Sequence, residues 1–208
     1  MDKSDLHCLA LMHTLAGAGT LLPDALPDDL LDHVQVQRLS KGQLLFDEGQ
    51  PVPWLYVVRQ GCFKLLCRSE AGDEWVLDFV AEGDFLCSVT ALLPGGRSSC
   101  ACEALEDGEV ERVDYAWLER TAHTHPQWQQ VLLQGWKAHA IRREWRERDL
   151  LTLGATRRYE AFLHSQPDLA RRVPQKDLAR YLGITPVSLS RIRGRLTREA
   201  AQRAATSP

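Results

Sequence analysis

From Val34 to Tyr115 the apolar residues fall in short runs: Val34-Gln35-Val36, Leu44-Leu45-Phe46, Trp54 to Val58, Cys62 to Leu66, Trp75 to Val80 and Glu109 to Val113. Glycines at Gly42, Gly49, Gly61, Gly72, Gly83, Gly95, Gly96 and Gly108 separate them. Short β-branched and aromatic runs with turn residues every 8–12 positions predict an all-β sandwich or barrel. Gln60-Gly61 and Ala71-Gly72-Asp73 are the expected hairpin corners, because glycine supplies the positive φ of tight turns. Ahead of this region, Leu6 to Leu22 reads as one short helix. Pro23-Asp24 and Pro27-Asp28-Asp29 carry helix-start signals, since proline suits the first helical position and acids suit the positive helix end.

After Tyr115 the rhythm becomes helical. Ala116 to Ala122 predicts a short helix, and Pro126 opens a long one to about Leu153. Val131, Ala138, Ile141 and Trp145 recur at spacings of 7, 3 and 4, a seam fit for helix packing. That seam has two readings: a dimer interface, or packing against the chain's own β domain. Gly154-Ala155-Thr156 predicts a hinge, followed by a helix from Thr156 to Ser165 that ends at Gln166-Pro167-Asp168.

The stretch from Arg172 to Leu196 parses as two short helices around a tight turn. Leu178, Ala179 and Leu182 give the first helix an apolar face. Gly183 sits where a left-handed residue ends it. Thr185 is the expected cap of the second helix, its hydroxyl accepting from the Ser188 N–H, with Pro186 at the first helical position. Leu189, Ile192 and Leu196 point inward. Val187, Ser188, Ser190, Arg191, Arg193 and Arg195 form the opposite, basic face. This pattern predicts a helix-turn-helix whose second helix enters a major groove. Arg191 is the candidate for bidentate contact with guanine O6 and N7. Ser188 and Ser190 suit bases or phosphates, and Gln175, Lys176 and Thr185, near helix N-termini, suit phosphates.

Charge sharpens that division. The 208 residues carry a formal net charge of −3. From Gly154 onward eleven basic residues face four acidic ones, so this end carries +7 and the remainder −10. A basic end on an acidic body points to a polyanionic partner. No apolar run approaches the ~18–20 residues of a membrane span, and no signal-peptide pattern opens the chain; a cytoplasmic protein without a membrane partner is expected. The six cysteines lack CxxC or zinc-finger spacing, so reduced thiols are expected, with a thiol sensor as the alternative. An enzyme is not expected: Val34–Tyr115 holds no histidine for a metal-dependent barrel, and GxSxG, HExxH and P-loop patterns are missing.

In order and in motif, the chain resembles the Crp/Fnr superfamily of bacterial transcription regulators. Lys41 to Gly49 resembles that family's opening β-roll motif, Leu55 to Leu65 its next hairpin, and Gly83-Asp84-Phe85-Leu86 the strand leading to its ligand pocket. Leu178 to Arg193 is similar to its helix-turn-helix. The resemblance implies an α+β fold in three parts. These are a jelly-roll-like N-terminal β-roll sensor domain (1–120), a connecting dimerisation helix (121–153) and a winged helix-turn-helix DNA-binding domain (154–208). It implies a homodimer on a pseudo-palindromic operator, gated by a small-molecule effector in the β-roll, with RNA polymerase as a further partner. The family's effector pocket maps onto Cys87, Ser88, Arg97 and Ser98. Cys87-Ser88 stand where cyclic-nucleotide members carry Gly-Glu, which removes the carboxylate that binds ribose and argues against cAMP. Only Cys8 stands where iron–sulfur members carry clustered cysteines, which argues against such a cluster. Haem remains open, with His7, His13, His33, His123, His125 and His139 as candidate ligands, so the cofactor is undetermined at this point. Val187 holds a place where family members often carry an acid, so the operator should differ from theirs. The rival reading is a small-molecule or redox sensor, through thiol or haem, whose C-terminal domain docks protein rather than DNA.

Overall fold

A computed structural model describes residues 5–16 and 26–206. Among the described residues the chain forms α1 (His7–Ala16), eight strands, and six further α-helices. The strands are β1 (Val34–Leu39), β2 (Leu44–Phe46), β3 (Trp54–Gln60), β4 (Phe63–Arg68), β5 (Glu74–Val80), β6 (Phe85–Leu86), β7 (Ala101–Ala104) and β8 (Gly108–Asp114). They make two four-stranded antiparallel sheets, ordered β1-β8-β3-β6 and β2-β7-β4-β5. The expected α+β architecture and β-roll are present.

Each strand's alternation sorts its side chains between layers. Tyr56, Val58, Phe63, Leu65 and Val110 meet between the two sheets. Leu55, Val57, Phe85 and Val113 face out of the first sheet, under α1 and the helices α2 (Tyr115–Thr124) and α3 (Pro126–Thr152). Val76 and Phe79 face out of the second sheet, under the C-terminal helices. Both sheets are covered on both faces, and this explains the nearly unbroken apolar run of β3.

Gly61 turns the chain from one sheet into the other, so Gln60-Gly61 is not a hairpin corner. Its φ is +95°, and a Cβ there would lie 2.8 Å from the Gly108 Cα. The Ala71-Gly72-Asp73 corner does join a hairpin: β4 pairs with β5, and the Ser69 N–H donates to the Asp73 carbonyl at 2.8 Å. Strand β7, Ala-Cys-Glu-Ala, carries no β-forming side chain and is held in the sheet interior by its small size.

Side-chain oxygens hold the starts of α1 and α2. Two backbone N–H groups at the start of α1, from His7 and Cys8, donate to the fully buried Glu111 carboxylate at 2.7 Å each. That acid lies about a hundred residues away in sequence, so no local signal marked the start. Residues 17–22 of the expected first helix, and Pro23-Asp24, lie outside the described residues. Pro27-Asp28-Asp29 opens only the 3-10 turn Leu30–Asp32. The Asp114 carboxylate accepts from the Trp117 N–H and starts α2. A boundary at residue 120 would cut through α2, which packs against α3 and the body as one layer.

The last third folds into α4 (Ala155–Ser165), α5 (Pro167–Arg172), α6 (Gln175–Tyr181) and α7 (Pro186–Thr206). The hinge is shorter than expected, because Gly154 already caps α4. The expected β wing is not there: every element from Ala155 onward is helical among the described residues. Residues 195–206 hold four alanines and three arginines, strong helix formers, and α7 runs through them without a break.

This helical domain lies on the second sheet. Phe79 meets Phe162 and Tyr181 at ring separations of 6.1 and 5.2 Å. Around that apolar seam, Lys64 of β4 reaches both Glu103 and Asp177 at 3.2 Å, with lysine and Asp177 both buried. Arg172 pairs with Glu82 at 2.7 Å and with Glu106; Arg180 pairs with Glu74. Asp177→Ala should cost about 1.5–3 kcal/mol, because Lys64 stays buried with one acid instead of two. Denaturant midpoints measure this, and an unchanged midpoint would deny the pair any role in docking.

Candidate nucleic-acid interface and effector pocket

The turn between α6 and α7 is built as its residues require. Gly183 has φ +67°, the left-handed conformation that ends α6. The Ile184 N–H donates to the Ala179 carbonyl at 3.0 Å. The Thr185 hydroxyl accepts from the Ser188 N–H at 3.1 Å and closes the first turn of α7. Leu178, Ala179, Leu182, Leu189 and Ile192 are buried together, and Leu196 packs against them. The two helices are thereby locked as one unit.

What this leaves outside is polar and basic. Val187, 60 % exposed, Ser190 and Arg191 stand on the outward face of α7. Gly194 and Arg198 continue that face at spacings of three and four, and sequence reasoning missed both. The signal was available: Arg198 lies seven residues, two helical turns, after Arg191. A Cβ at Gly194 would meet nothing within 4 Å, so its bare backbone is open to a close-approaching surface. Gln175 and Lys176 are exposed at the start of α6, and Arg193 is exposed on the flank of α7. Two expected residues are differently engaged. The Ser188 hydroxyl lies 2.9 Å from the Thr185 hydroxyl within the cap. Arg195 turns back to the Thr156 hydroxyl and lies 3.8 Å from Glu199, so it braces α7 against α4.

The four residues expected around an effector lie along one hydrogen-bonded loop but differ in exposure. Cys87, Ser88 and Ser98 are buried; Arg97 is exposed. Its guanidinium donates to the Gly49 carbonyl at 2.7 Å. The Ser98 hydroxyl donates to the Cys100 carbonyl at 2.6 Å, and the Thr90 hydroxyl to the Arg97 carbonyl at 2.9 Å. The loop's polar groups thus satisfy one another. A different cavity, of about 60 Å³, lies under α1 between Leu11, Met12, Phe85, Trp117 and Trp128. Its walls are apolar and offer no partner for a charged nucleotide.

The expected seam on α3 also divides. Val131 is buried in the chain's own core with Trp128, because the first half of α3 lies on the body. Ala138, Ile141 and Trp145 are exposed, and Leu133 and Leu151 extend their stripe. Val131 is therefore a residue of the protomer core.

Five of the six thiols are buried. Desolvation pushes Cys62 and Cys87 up to about 12 and raises Cys8, Cys100 and Cys102 as well. Such thiols stay protonated, and so unreactive, at neutral pH. Maleimide added to the native protein at pH 7 should label Cys67 and spare the other five until denaturant is added. Rapid native labelling at several positions, read by mass spectrometry, would contradict this burial.

A β-roll is joined by a long helix to a capped helix-turn-helix. Residues 36–125 match the cyclic nucleotide-binding domain family. The chain is 28 % identical over 182 residues to the anaerobic regulatory protein of Pasteurella multocida, covering 81 % of this chain and 66 % of that protein. It is 28 % identical over 187 residues to the fumarate and nitrate reduction regulatory protein of Escherichia coli K12, covering 80 % and 71 %. Among solved structures, FixK2 from Bradyrhizobium japonicum superposes with a TM-score of 0.71 at 22 % identity, over 80 % of this chain and 86 % of that one. A cyclic nucleotide-binding domain containing protein from Listeria monocytogenes EGD-e superposes with a TM-score of 0.68 at 14 % identity, over 93 % and 92 %. Over about four fifths of its length the chain is similar to regulators of the Crp/Fnr type.

Proposed function

We propose that the protein is a homodimer that binds a pseudo-palindromic duplex through the outward face of α7. The observation that carries this is the face itself: Val187, Ser190, Arg191, Gly194 and Arg198 are exposed on one side of a capped, rigidly packed helix. Arg191 reads guanine through O6 and N7, Val187 contacts a thymine methyl, and Ser190 bonds a base or phosphate. Gln175, Lys176, Thr185, Arg193 and Arg198 hold phosphates, while Ser188 and Arg195 shape the unit. Ala138, Ile141 and Trp145, with Leu133 and Leu151, pair across the dimer axis. Two α7 helices then enter major grooves about 34 Å apart. The three parts divide the work: a sensing body, a dimerising α3, and a DNA domain from residue 154. The setting is the cytoplasm, with RNA polymerase as the downstream partner. No helix among the described residues is long and apolar enough to cross a membrane. Buried, protonated thiols speak against the rival thiol-sensor reading.

Binding to random duplex DNA should weaken steeply with salt, because phosphate contacts release counterions. Arg191→Ala should cost about 1–3 kcal/mol on a selected site and relax preference at one base pair. A protein-docking domain would show neither effect in fluorescence-anisotropy titrations.

Gly194→Ala separates stability from recognition. Alanine in place of an exposed mid-helix glycine should stabilise the fold by roughly 0.5–1 kcal/mol. The added methyl should weaken DNA binding if the α7 backbone approaches the duplex. Higher thermal stability with undiminished DNA affinity would remove Gly194 from the interface.

A further inference from the structure

The second half of α3 does not lie flat on the body. Between it, β5, α4 and the end of α6 is a cavity of about 260 Å³. A second cavity, of about 450 Å³, shares Leu77, Arg143, Arg146 and Tyr181 with it, so the two run along one cleft. The first is lined by five arginines, Arg142, Arg143, Arg146, Arg148 and Arg158, against two acids, Asp78 and Asp149.

Part of this positive charge has a structural use. Arg142 pairs with Asp84, and Arg148 with Asp149 at 2.8 Å. Arg158 donates to the Leu182 carbonyl at 2.9 Å and the Leu153 carbonyl at 2.6 Å. Arg146 donates to the Tyr181 carbonyl and stacks over the Tyr181 ring at 3.7 Å. The remainder is unaccounted for. Arg143 is exposed at the cleft and forms no hydrogen bond or ion pair with any described residue. The Nε atoms of Arg142 and Arg146 are buried without an acceptor, and the Gln166 Oε1 is buried without a donor. Buried polar atoms are nearly always satisfied, and orphaned guanidinium N–H groups in a positively charged cavity call for an acceptor anion. The planar fork of arginine matches the oxygens of phosphate in particular.

We propose that this cleft binds a small, multiply charged oxyanion of the phosphate class, a phosphate ester or pyrophosphate. Arg143 and Arg146 are its principal ligands. The Gln166 Oε1 accepts a hydrogen bond from a hydroxyl of the bound molecule. The site is separate from the β-roll loop of Arg97 and from the α7 face. Its walls come from both the body and the DNA domain, so a bound anion ties the two in their docked orientation and favours that state.

Calorimetric titration of the full-length protein with inorganic pyrophosphate, at ionic strength held constant with sodium chloride, tests this. One saturable site per chain is expected. Arg143→Ala, which removes no hydrogen bond or ion pair among the described residues, should weaken it about tenfold or more. Gln166→Glu, which adds a negative charge to the cleft, should weaken it as well. The absence of saturable binding overturns the proposal. So does binding lost in Arg97→Ala and kept in Arg143→Ala, which would move the site to the β-roll. If instead Arg143→Ala weakens duplex DNA binding and leaves pyrophosphate binding intact, these arginines serve the DNA backbone and the proposal falls. DNA affinity of each variant is measured separately, so failure here is distinct from failure of the DNA-binding reading.

Discussion

The outer face of the second sheet must be buried, and the helix-turn-helix domain is what buries it. Cys62, Val76, Phe79 and Leu105 would be an exposed apolar patch on an isolated β-roll; here they pack against Tyr159, Phe162, Val173 and Leu178. Burial of this kind is non-directional and sets only that the two parts meet. The ion pairs at its margin set how they meet. Lys64 with Asp177, Arg172 with Glu82 and Glu106, and Arg180 with Glu74 fix one register between body and domain. The direction in which α7 points follows from that register.

The same charges explain the division of the chain into −10 and +7. Lys176, Arg191, Arg193 and Arg198 are exposed on the side proposed for nucleic acid, but Arg172 and Arg180 face the acidic body. Arg172 is held above its usual value mainly by its hydrogen bonds to Glu82 and Glu106, and Glu82 is held below its own chiefly by Arg172. Glu82 remains partly exposed, so solvent and salt weaken its pair with Arg172. A contact of this sort orients a domain while still letting it move when a ligand or a duplex favours another orientation.

What was legible in the sequence was local. Thr185, Pro186 and Gly183 announce their positions because capping and left-handed turns depend on neighbours within four residues. The β-roll's strand runs and the long helix were legible for the same reason. What was not legible depended on distant partners. Glu111 starts α1 from another strand, and Gly61 crosses between sheets because Gly108 lies beside it. Val131 has the spacing of an interface residue, but the body reaches it first. Lys64 sits in an apolar run whose period put it opposite Phe63 and Leu65, yet nothing local revealed that Asp177 would meet it. The wing was inferred by resemblance, and the helix-rich composition of the tail overrode it. On the proposed recognition face, Arg191 and Val187 stand exposed as helical spacing predicts, whereas Arg195 is drawn to Thr156, which belongs to another helix.

Two copies of α7, each oriented by its protomer body, are proposed to read one duplex. Selection of binding sites from a random duplex pool, followed by hydroxyl-radical footprinting of the full-length protein on the winner, tests it most directly. The account predicts an inverted repeat with two protected patches about 34 Å apart. A selected pool without symmetry, or a footprint confined to a single half-site, would contradict it.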